Sequence, residues 1–362
     1  MITDYGWSDA LHASAFAAHA ALGHIPARVL VQQRGIYGLI CDTGELTGQC
    51  AGRLLHDAPA GGLPVVGDWV AITARPADHA ATIHGVLPRR TCFIRRAAGG
   101  AAEQIIAANV DVAFLATSVN ADLNPRRLER YLAAAWASGA TPVVVLTKSD
   151  LTADAQAAVA AVEQVALGVT VLAVSAATGA GLAELAAYLR PGRTCVVVGS
   201  SGVGKSTLVN TLAGTRLMAT GEIRQEDARG RHTTTHRELF LLPGGALLLD
   251  TPGMREFGLT DAPDGLDAVF DDIAALAATC RFSDCSHGTE PGCAVRGAID
   301  AGTLDAARWK SYGKLQRELA REARAANPLA RAAVQRRWAV ISKAHRQAKK
   351  FDDRRLPDGH SS

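Results

Sequence analysis

The chain has 362 residues, 48% of them hydrophobic and 20% charged, which excludes a disordered protein and allows two or three domains with their own cores. No apolar run reaches the roughly 18–20 residues that span a bilayer, and the opening MITDYGWSDALHASAF lacks a secretory signal's basic-then-apolar pattern, so a cytoplasmic protein is expected. The net charge of +3 hides an asymmetry: residues 305–355 hold fifteen Lys/Arg against five Asp/Glu and 25–100 eight against five, flanking an acidic 101–304 with fifteen against twenty-two.

Residues 1–24 are Ala-rich and predict at most a frayed helix. From 25 to 104, the runs RVLVQQ, IYGLICDT, GDWVAI and ATIHGVL are separated by Gly and Pro. Short strands with frequent turns predict a small barrel or sandwich. RAAGGAAEQIIAA reads as a linker. From 105 to 260 the rhythm changes. NVDVAFLATS, TPVVVLTK, VTVLAVSA, TCVVVG and GALLLD read as buried strands with helical stretches between most of them. That alternation predicts an α/β domain around a parallel sheet. NPRRLERYLAAAWASG is a helix capped by Asn124, with Pro125 in its first turn and Gly139 at its end. Residues 261–362 turn helical and polar, and the Arg-rich helices break near Asn327-Pro328. Basic segments at both ends predict a polyanionic partner; a solvated Arg-rich helix is the plainer reading of the tail.

Gly199-Ser200-Ser201-Gly202-Val203-Gly204-Lys205-Ser206-Thr207 matches the phosphate loop GxxxxGK[ST]. Its glycines let backbone N–H groups turn toward phosphate oxygens at a helix N-terminus. Lys205 is expected to reach the β/γ-phosphates and Ser206 to offer a hydroxyl to Mg²⁺. Asp250-Thr-Pro-Gly253 ends a strand about fifty residues later, where the carboxylate can approach Mg²⁺ and the Gly253 amide the γ-phosphate. Between them lies RGRHTTT, 229–235, whose threonines can close the Mg²⁺ shell or simply suit a β-strand.

Thr147-Lys148-Ser149-Asp150 follows the strand VVVL. A carboxylate such as Asp150 accepts two hydrogen bonds from guanine N1 and N2, and adenine offers no such donor pair. Lys148 can lay its stem along the base, and Ser175-Ala176 can present a backbone amide to the guanine carbonyl. This base-reading loop precedes the phosphate loop, the reverse of the ordinary GTPase order. All these loops lie at the C-terminal ends of one parallel sheet, and spatial order alone builds the site, so the reversal predicts a circularly permuted GTPase domain.

Cys280-x4-Cys285-x-His287-x5-Cys293 offers three thiolates and an imidazole, the closed tetrahedral set of a structural Zn²⁺. Cys41, Cys50, Cys92 and Cys195 are scattered and read as buried thiols.

The β-rich head with GDWV, then TKSD, SA, GSSGVGKST, RGRHTTT, DTPG and the Cys/His cluster together resemble the ribosome small-subunit-dependent GTPase A family from about residue 25 to beyond 320. The resemblance implies an OB-fold head, a circularly permuted P-loop GTPase centre and a mostly helical zinc-binding tail. It further implies a GTPase acting late in maturation of the small (30S) ribosomal subunit, binding rRNA through head and tail and stimulated by the subunit. By it Thr234 is the switch threonine for Mg²⁺, alongside Ser206 and Asp250. Thr147 stands where the family's motif usually has Asn, and has no amide to tie the base to the phosphate loop. Met254 follows DTPG where many GTPases place a water-orienting Gln. His232 is the candidate for that task, the plain alternative being a packing residue. Arg28, Arg34, Arg53, Arg89, Arg90, Arg95 and Arg96 are candidates for an RNA-facing surface, and Trp309, Tyr312 and Trp338 for RNA contact or core. A monomer is expected. A permuted GTPase of the large subunit and an RNA-binding module with a degenerate nucleotide site are the alternatives.

Overall fold

The computed structural model describes residues 1–96, 103–119, 123–215, 237–250, 263–288 and 290–326. A 3₁₀ turn, Ile2–Tyr5, and helix α1, Asp9–Ala20, come first. The Ala-rich stretch forms three turns of helix, more than a frayed end, because it has something to pack on. Its His12 and Phe16 are buried, and Trp7 stacks on His12 at 4.8 Å and meets Trp69 edge-on at 5.0 Å. The contact continues through His19 to His24 and on to His84, the last two stacked at 4.3 Å.

The head is a closed barrel of β1 (Ile25–Gln33), β2 (Ile36–Cys41), β3 (Gly44–Cys50), β4 (Trp69–Arg75) and β5 (Ala80–Val86), with α2 (Gly52–Asp57) between β3 and β4. The order β1-β2-β3-β5-β4 closes because β4 pairs back onto β1, which gives an OB-like barrel. Strand β3, GELTGQC, lies outside the strand runs expected from sequence. It alternates nonetheless, with Leu46 and Gly48 inward and Glu45, Thr47 and Gln49 outward.

GDWV is a joint. Gly67 has φ 91°, and a Cβ there would lie 2.1 Å from the Ala108 carbonyl oxygen. Asp68 is fully buried and accepts from the Val65 amide at 2.8 Å and from Arg89 Nε and Nη2 at 2.8 and 2.7 Å. The expected linker is in part a hairpin: β6 (Cys92–Arg96) pairs antiparallel with β7 (Glu103–Ala108), burying Phe93 and Ala107.

The α/β domain follows as β8 (Val112–Ser118), α3 (Pro125–Ser138), β9 (Thr141–Thr147), α4 (Ala155–Glu163), β10 (Val171–Val174), α5 (Leu182–Ala186), β11 (Thr194–Val198), α6 (Lys205–Ala213), β12 (Arg237–Leu241) and β13 (Leu247–Asp250). Asn124 caps α3, accepting from the Arg127 amide at 3.2 Å, and Gly139 ends it at φ 84°. The spatial order is β10-β9-β8-β11-β13-β12, parallel except for β12. Strands β8 to β10 thus come first in the chain yet lie to one side of the phosphate-loop strand β11. Strand β12 also pairs antiparallel with β1 of the barrel, Val31 opposite Glu238 and Gln32 opposite Arg237. Barrel and α/β domain therefore share one hydrogen-bonded sheet of eleven strands.

Helices α7 (Pro263–Val269), α8 (Asp271–Ala278), α9 (Ala294–Asp300) and α10 (Ala306–Ala326) follow. Leu266, Val269, Phe270 and Ile273 join Leu128 and Leu132 of α3 in one core. The α3–α7 approach is close: a Cβ on Gly265 would sit 2.2 Å from the Ala133 carbonyl oxygen. Arg308 of α10 locks the packing. It is bidentate to Asp272 at 2.8 and 2.9 Å, lies 3.7 Å from buried Glu129, and covers the Phe270 ring at 4.7 Å. Ser311 donates to Glu129 from the same helix. Among the described residues no helix is long and apolar enough to cross a membrane.

Candidate nucleotide site and metal centre

Strand β11 is paired on both edges and delivers residues 199–204 at the C-terminal edge of the sheet, where α6 begins. A Cβ on Gly199 would lie 2.3 Å from the Ala116 carbonyl oxygen, so only glycine permits this passage against β8. Gly202 and Gly204 turn the loop with φ 83° and 93°. Buried Val203 anchors it from below. Lys205 Nζ donates to the Gly199 carbonyl at 2.7 Å and to that of Ser200, which holds the ammonium over the loop. Ser206 and Thr207 follow in the first turn of α6, where unpaired N–H groups and the helix dipole favour an anion.

The expected base-reading loop leaves β9 beside this one. Thr147 is buried, and its Oγ1 donates to the Val203 carbonyl, with the Thr117 carbonyl 3.3 Å away. The missing amide is thus compensated: a hydroxyl makes the tie to the phosphate loop. Lys148 adopts a left-handed conformation, φ 58°, and its Nζ donates to the Gly202 carbonyl at 2.8 Å. Ser149 and Asp150 lie in a short 3₁₀ turn, Ser149–Leu151. Buried Ser175, at the end of β10, donates through Oγ to Asp150 Oδ1 at 2.5 Å and accepts from the Thr178 amide at 3.2 Å. Asp150 is exposed with one carboxylate oxygen fixed, an arrangement suited to accepting two N–H groups from a base. Ala176 follows Ser175 directly.

Asp250 ends β13, its Cα opposite Glu238 of β12; its side chain lies outside the described residues, as do His232, Thr234, the neighbouring threonines, Gly253 and Met254.

The ligand atoms of Cys280, Cys285, His287 and Cys293 all lie within 4.8 Å of one another. His287 Nδ1 is 3.5 Å from both Cys280 Sγ and Cys293 Sγ, so Nδ1 is the nitrogen turned toward the thiols. His287 reaches them from φ 58°. Burial works against a thiolate at Cys280. The amides of Ala294 and Val295 and the other two thiols nonetheless hold it below the ordinary thiol range. Three sulfurs and one nitrogen on one centre fit a structural Zn²⁺, which Cys280, Cys285, His287 and Cys293 would hold. Trp309 packs edge-on against His287 at 5.5 Å, then Tyr312 and Phe270 follow at 5.7 and 5.3 Å. Trp309 and Tyr312 are therefore packing residues beside the Cys/His loop.

Two of the arginines considered for an RNA surface are committed to internal partners, Arg28 buried and Arg89 partly so. Arg28 is buried at the base of the barrel, donating to Thr194 Oγ1 at 2.6 Å and to the Tyr5 carbonyl, with its guanidinium 5.1 Å from the Trp69 ring. Burial lowers its pKa to about 10. Arg89 is spent on Asp68. Arg90 pairs with Asp111 at 3.0 Å. Arg34 and Arg53 are exposed. Composition alone could not separate these classes, although a hydrophobic flank on both sides of Arg28 (PARVLV) was a signal for burial.

The family model "RsgA GTPase" matches residues 86–260. "Small ribosomal subunit biogenesis GTPase RsgA" of Opitutus terrae is 49% identical over 364 residues, covering 98% of this chain and 99% of the relative. The chain belongs to the RsgA GTPase family. It is accordingly a GTP hydrolase. The RsgA of Streptomyces coelicolor, 46% identical, covers 96% of both chains. Among solved structures, YjeQ from Thermotoga maritima aligns with a TM-score of 0.62 at 26% identity, over 82% of this chain and 98% of that one. YloQ, described as a circularly permuted GTPase, aligns at 0.59 and 24% identity, over 82% and 95%, a likeness of fold. The permuted strand order expected from the reversed motifs is the order found.

Proposed function

We propose that this RsgA-family GTPase acts in biogenesis of the small (30S) ribosomal subunit, in the cytoplasm and as a monomer. The observation that carries the guanine-nucleotide part of the reading is the double tie between loops, Thr147 to Val203 and Lys148 to Gly202. The small-subunit part rests on membership of the RsgA GTPase family. In the nucleotide site Asp150 reads guanine, Ser175 orients Asp150, and Ala176 supplies the amide for the guanine carbonyl. Residues 199–207 hold the phosphates. Ser206, Thr234 and Asp250 would hold Mg²⁺, which when bound neutralises charge between the β- and γ-phosphates. His232 orients the attacking water when the subunit is bound. Residues 25–104 form the OB domain, 105–260 the GTPase and 261–362 the zinc domain, and the first and last of these bind rRNA.

The test is GTP turnover by the purified protein alone, with small subunits, and with large subunits. The reading expects stimulation by small subunits only, and its loss in His232→Ala. Stimulation by large subunits alone, or no turnover under any condition, contradicts it.

A further inference from the structure

The described part of the C-terminal region, residues 263–288 and 290–326, contains four aromatic side chains, and they divide unevenly. Phe270, Trp309 and Tyr312 form a ladder running from the buried core to His287. The fourth, Phe282, stands apart from that ladder. It lies between two of the metal-site residues, Cys280 and Cys285, and is 41% exposed.

The loop that carries it is short and fixed. The Arg281 amide donates to the Gly292 carbonyl at 3.3 Å, and the Cys285 amide to the Phe282 carbonyl at 3.3 Å. Gly292 itself turns at φ 75° with the Arg281 stem packed beside it, a Cβ there falling 3.2 Å from Arg281 Cβ. The Arg281 guanidinium lies 5.4 Å from the centre of the Phe282 ring. A single exposed apolar residue is ordinary on a protein surface. An aromatic ring held outward by a metal loop, with a guanidinium against it, is a more specific combination. Its ring and cation together suit a flat, π-faced ligand that also carries negative charge.

We propose that Arg281 and Phe282 form a stacking platform for an unpaired RNA base. The exposed ring offers a face to the base, while Arg281 serves the adjacent phosphate or stacks in its turn. A duplex is not the ligand, because its bases present no free face. Arg296, exposed on α9 beside the same loop, adds a second cation, set against the carboxylates of Asp284 and Glu290, so the ring with Arg281 against it, and not a net positive charge, is what singles the loop out. The Glu290 carboxylate is occupied by the Ser286 hydroxyl and the Ser286 and Gly288 amides. This inference rests on the small-subunit reading above and gives the zinc domain a defined contact.

The experiment uses the full-length, zinc-loaded protein with a non-hydrolysable GTP analogue. Binding is measured both to purified small subunits and to protein-free small-subunit rRNA. Phe282→Leu keeps the apolar bulk and removes the π-face; it is expected to weaken both by at least about fivefold, the low end for loss of one stacked base. Phe282→Trp is expected to bind at least as tightly as the parent. Zinc content and GTP turnover without subunits are expected to be the same in all three proteins. Undiminished rRNA binding by Phe282→Leu overturns the proposal. A defect seen with subunits and absent with protein-free rRNA also overturns it, assigning the ring to a ribosomal protein. Failure of the parent protein to bind subunits at all speaks instead against the small-subunit reading.

Discussion

Thr147 Oγ1 donates to the backbone carbonyl of Val203, fifty-six positions later in the chain, and so joins the proposed base-reading loop to the proposed phosphate loop. A hydroxyl has one proton to give, so this is a single tie. A buried neutral hydrogen bond contributes about 0.5–1.5 kcal/mol. Thr147→Val, which keeps the shape and removes the hydroxyl, is expected to weaken GTP and GDP together by about 2- to 12-fold. Titration with a fluorescent guanine nucleotide checks this, and an unchanged dissociation constant would show that the tie is dispensable.

Asp150 is held by Ser175 through one carboxylate oxygen. Hydrogen bonds to a charged group are worth about 1.5–3 kcal/mol, so Asp150→Asn is expected to weaken GTP by about 10- to 150-fold. Xanthine carries a carbonyl where guanine has its amino group, and an Asn amide can donate to it. The variant is therefore expected to prefer xanthosine over guanosine triphosphate in competition assays. Ser175→Ala should weaken GTP less and leave the base preference intact.

The N-terminal helix is docked by imidazoles that favour neutrality. Burial holds His12, His19 and His84 below the ordinary histidine value of 6.5, and His24 adds to this for the latter two. As pH falls below 6.5 the unfolded chain protonates these groups before the folded one does. Their contribution to stability is complete above 6.5 and is lost as pH falls through the lowered values. The melting temperature is expected to drop between pH 7.5 and 5.5, and the drop to be smaller in the His19→Gln, His84→Gln double variant. Parallel pH profiles for the two proteins would refute this.

Arg308 bridges Asp272 and buried Glu129, fastening α10 to the face of α3. Replacing it with Met leaves Glu129 buried without its cation. Breaking a buried pair costs about 3–5 kcal/mol, and the partial exposure of Asp272 places the expected loss near the lower end. Urea unfolding measures it. Guanine-nucleotide affinity should be unchanged under native conditions, since Arg308 takes no part in the nucleotide loops.

Sequence singles out the candidate nucleotide and metal residues because the chemistry proposed for them needs particular types at particular spacings. Gly199, Lys205, Asp150 and the Cys/His set are of this kind. Burial was less legible. Arg28 and Arg89 look like surface cations until the fold closes around them, Thr194 of β11 meeting Arg28 and Asp68 of the head meeting Arg89. Strand β3 hid because two glycines and three polar residues dilute its alternation, which only pairing with β2 and β5 makes useful. Helix α1 has an Ala-rich pattern without a clear apolar stripe, and its order comes from two buried side chains meeting Trp69 and the barrel. Thr147 shows the limit from the other side: sequence marks it as a departure from the family's usual Asn, but where its hydroxyl points depends on a loop fifty-six positions away.

Strand β12 has one more consequence, for solubility. In an α/β domain ending at that strand, its outer N–H and C=O groups would lie open to any passing chain. Here β1 pairs with its first two residues, Arg237 and Glu238, and the barrel beyond closes on itself through β4. Among the described strands of the large sheet, the opposite outer edge is β10, four residues long. Short edges template association poorly. The head domain thus also blunts the sheet against self-assembly, and truncating it would expose a new adhesive margin as well as removing a domain.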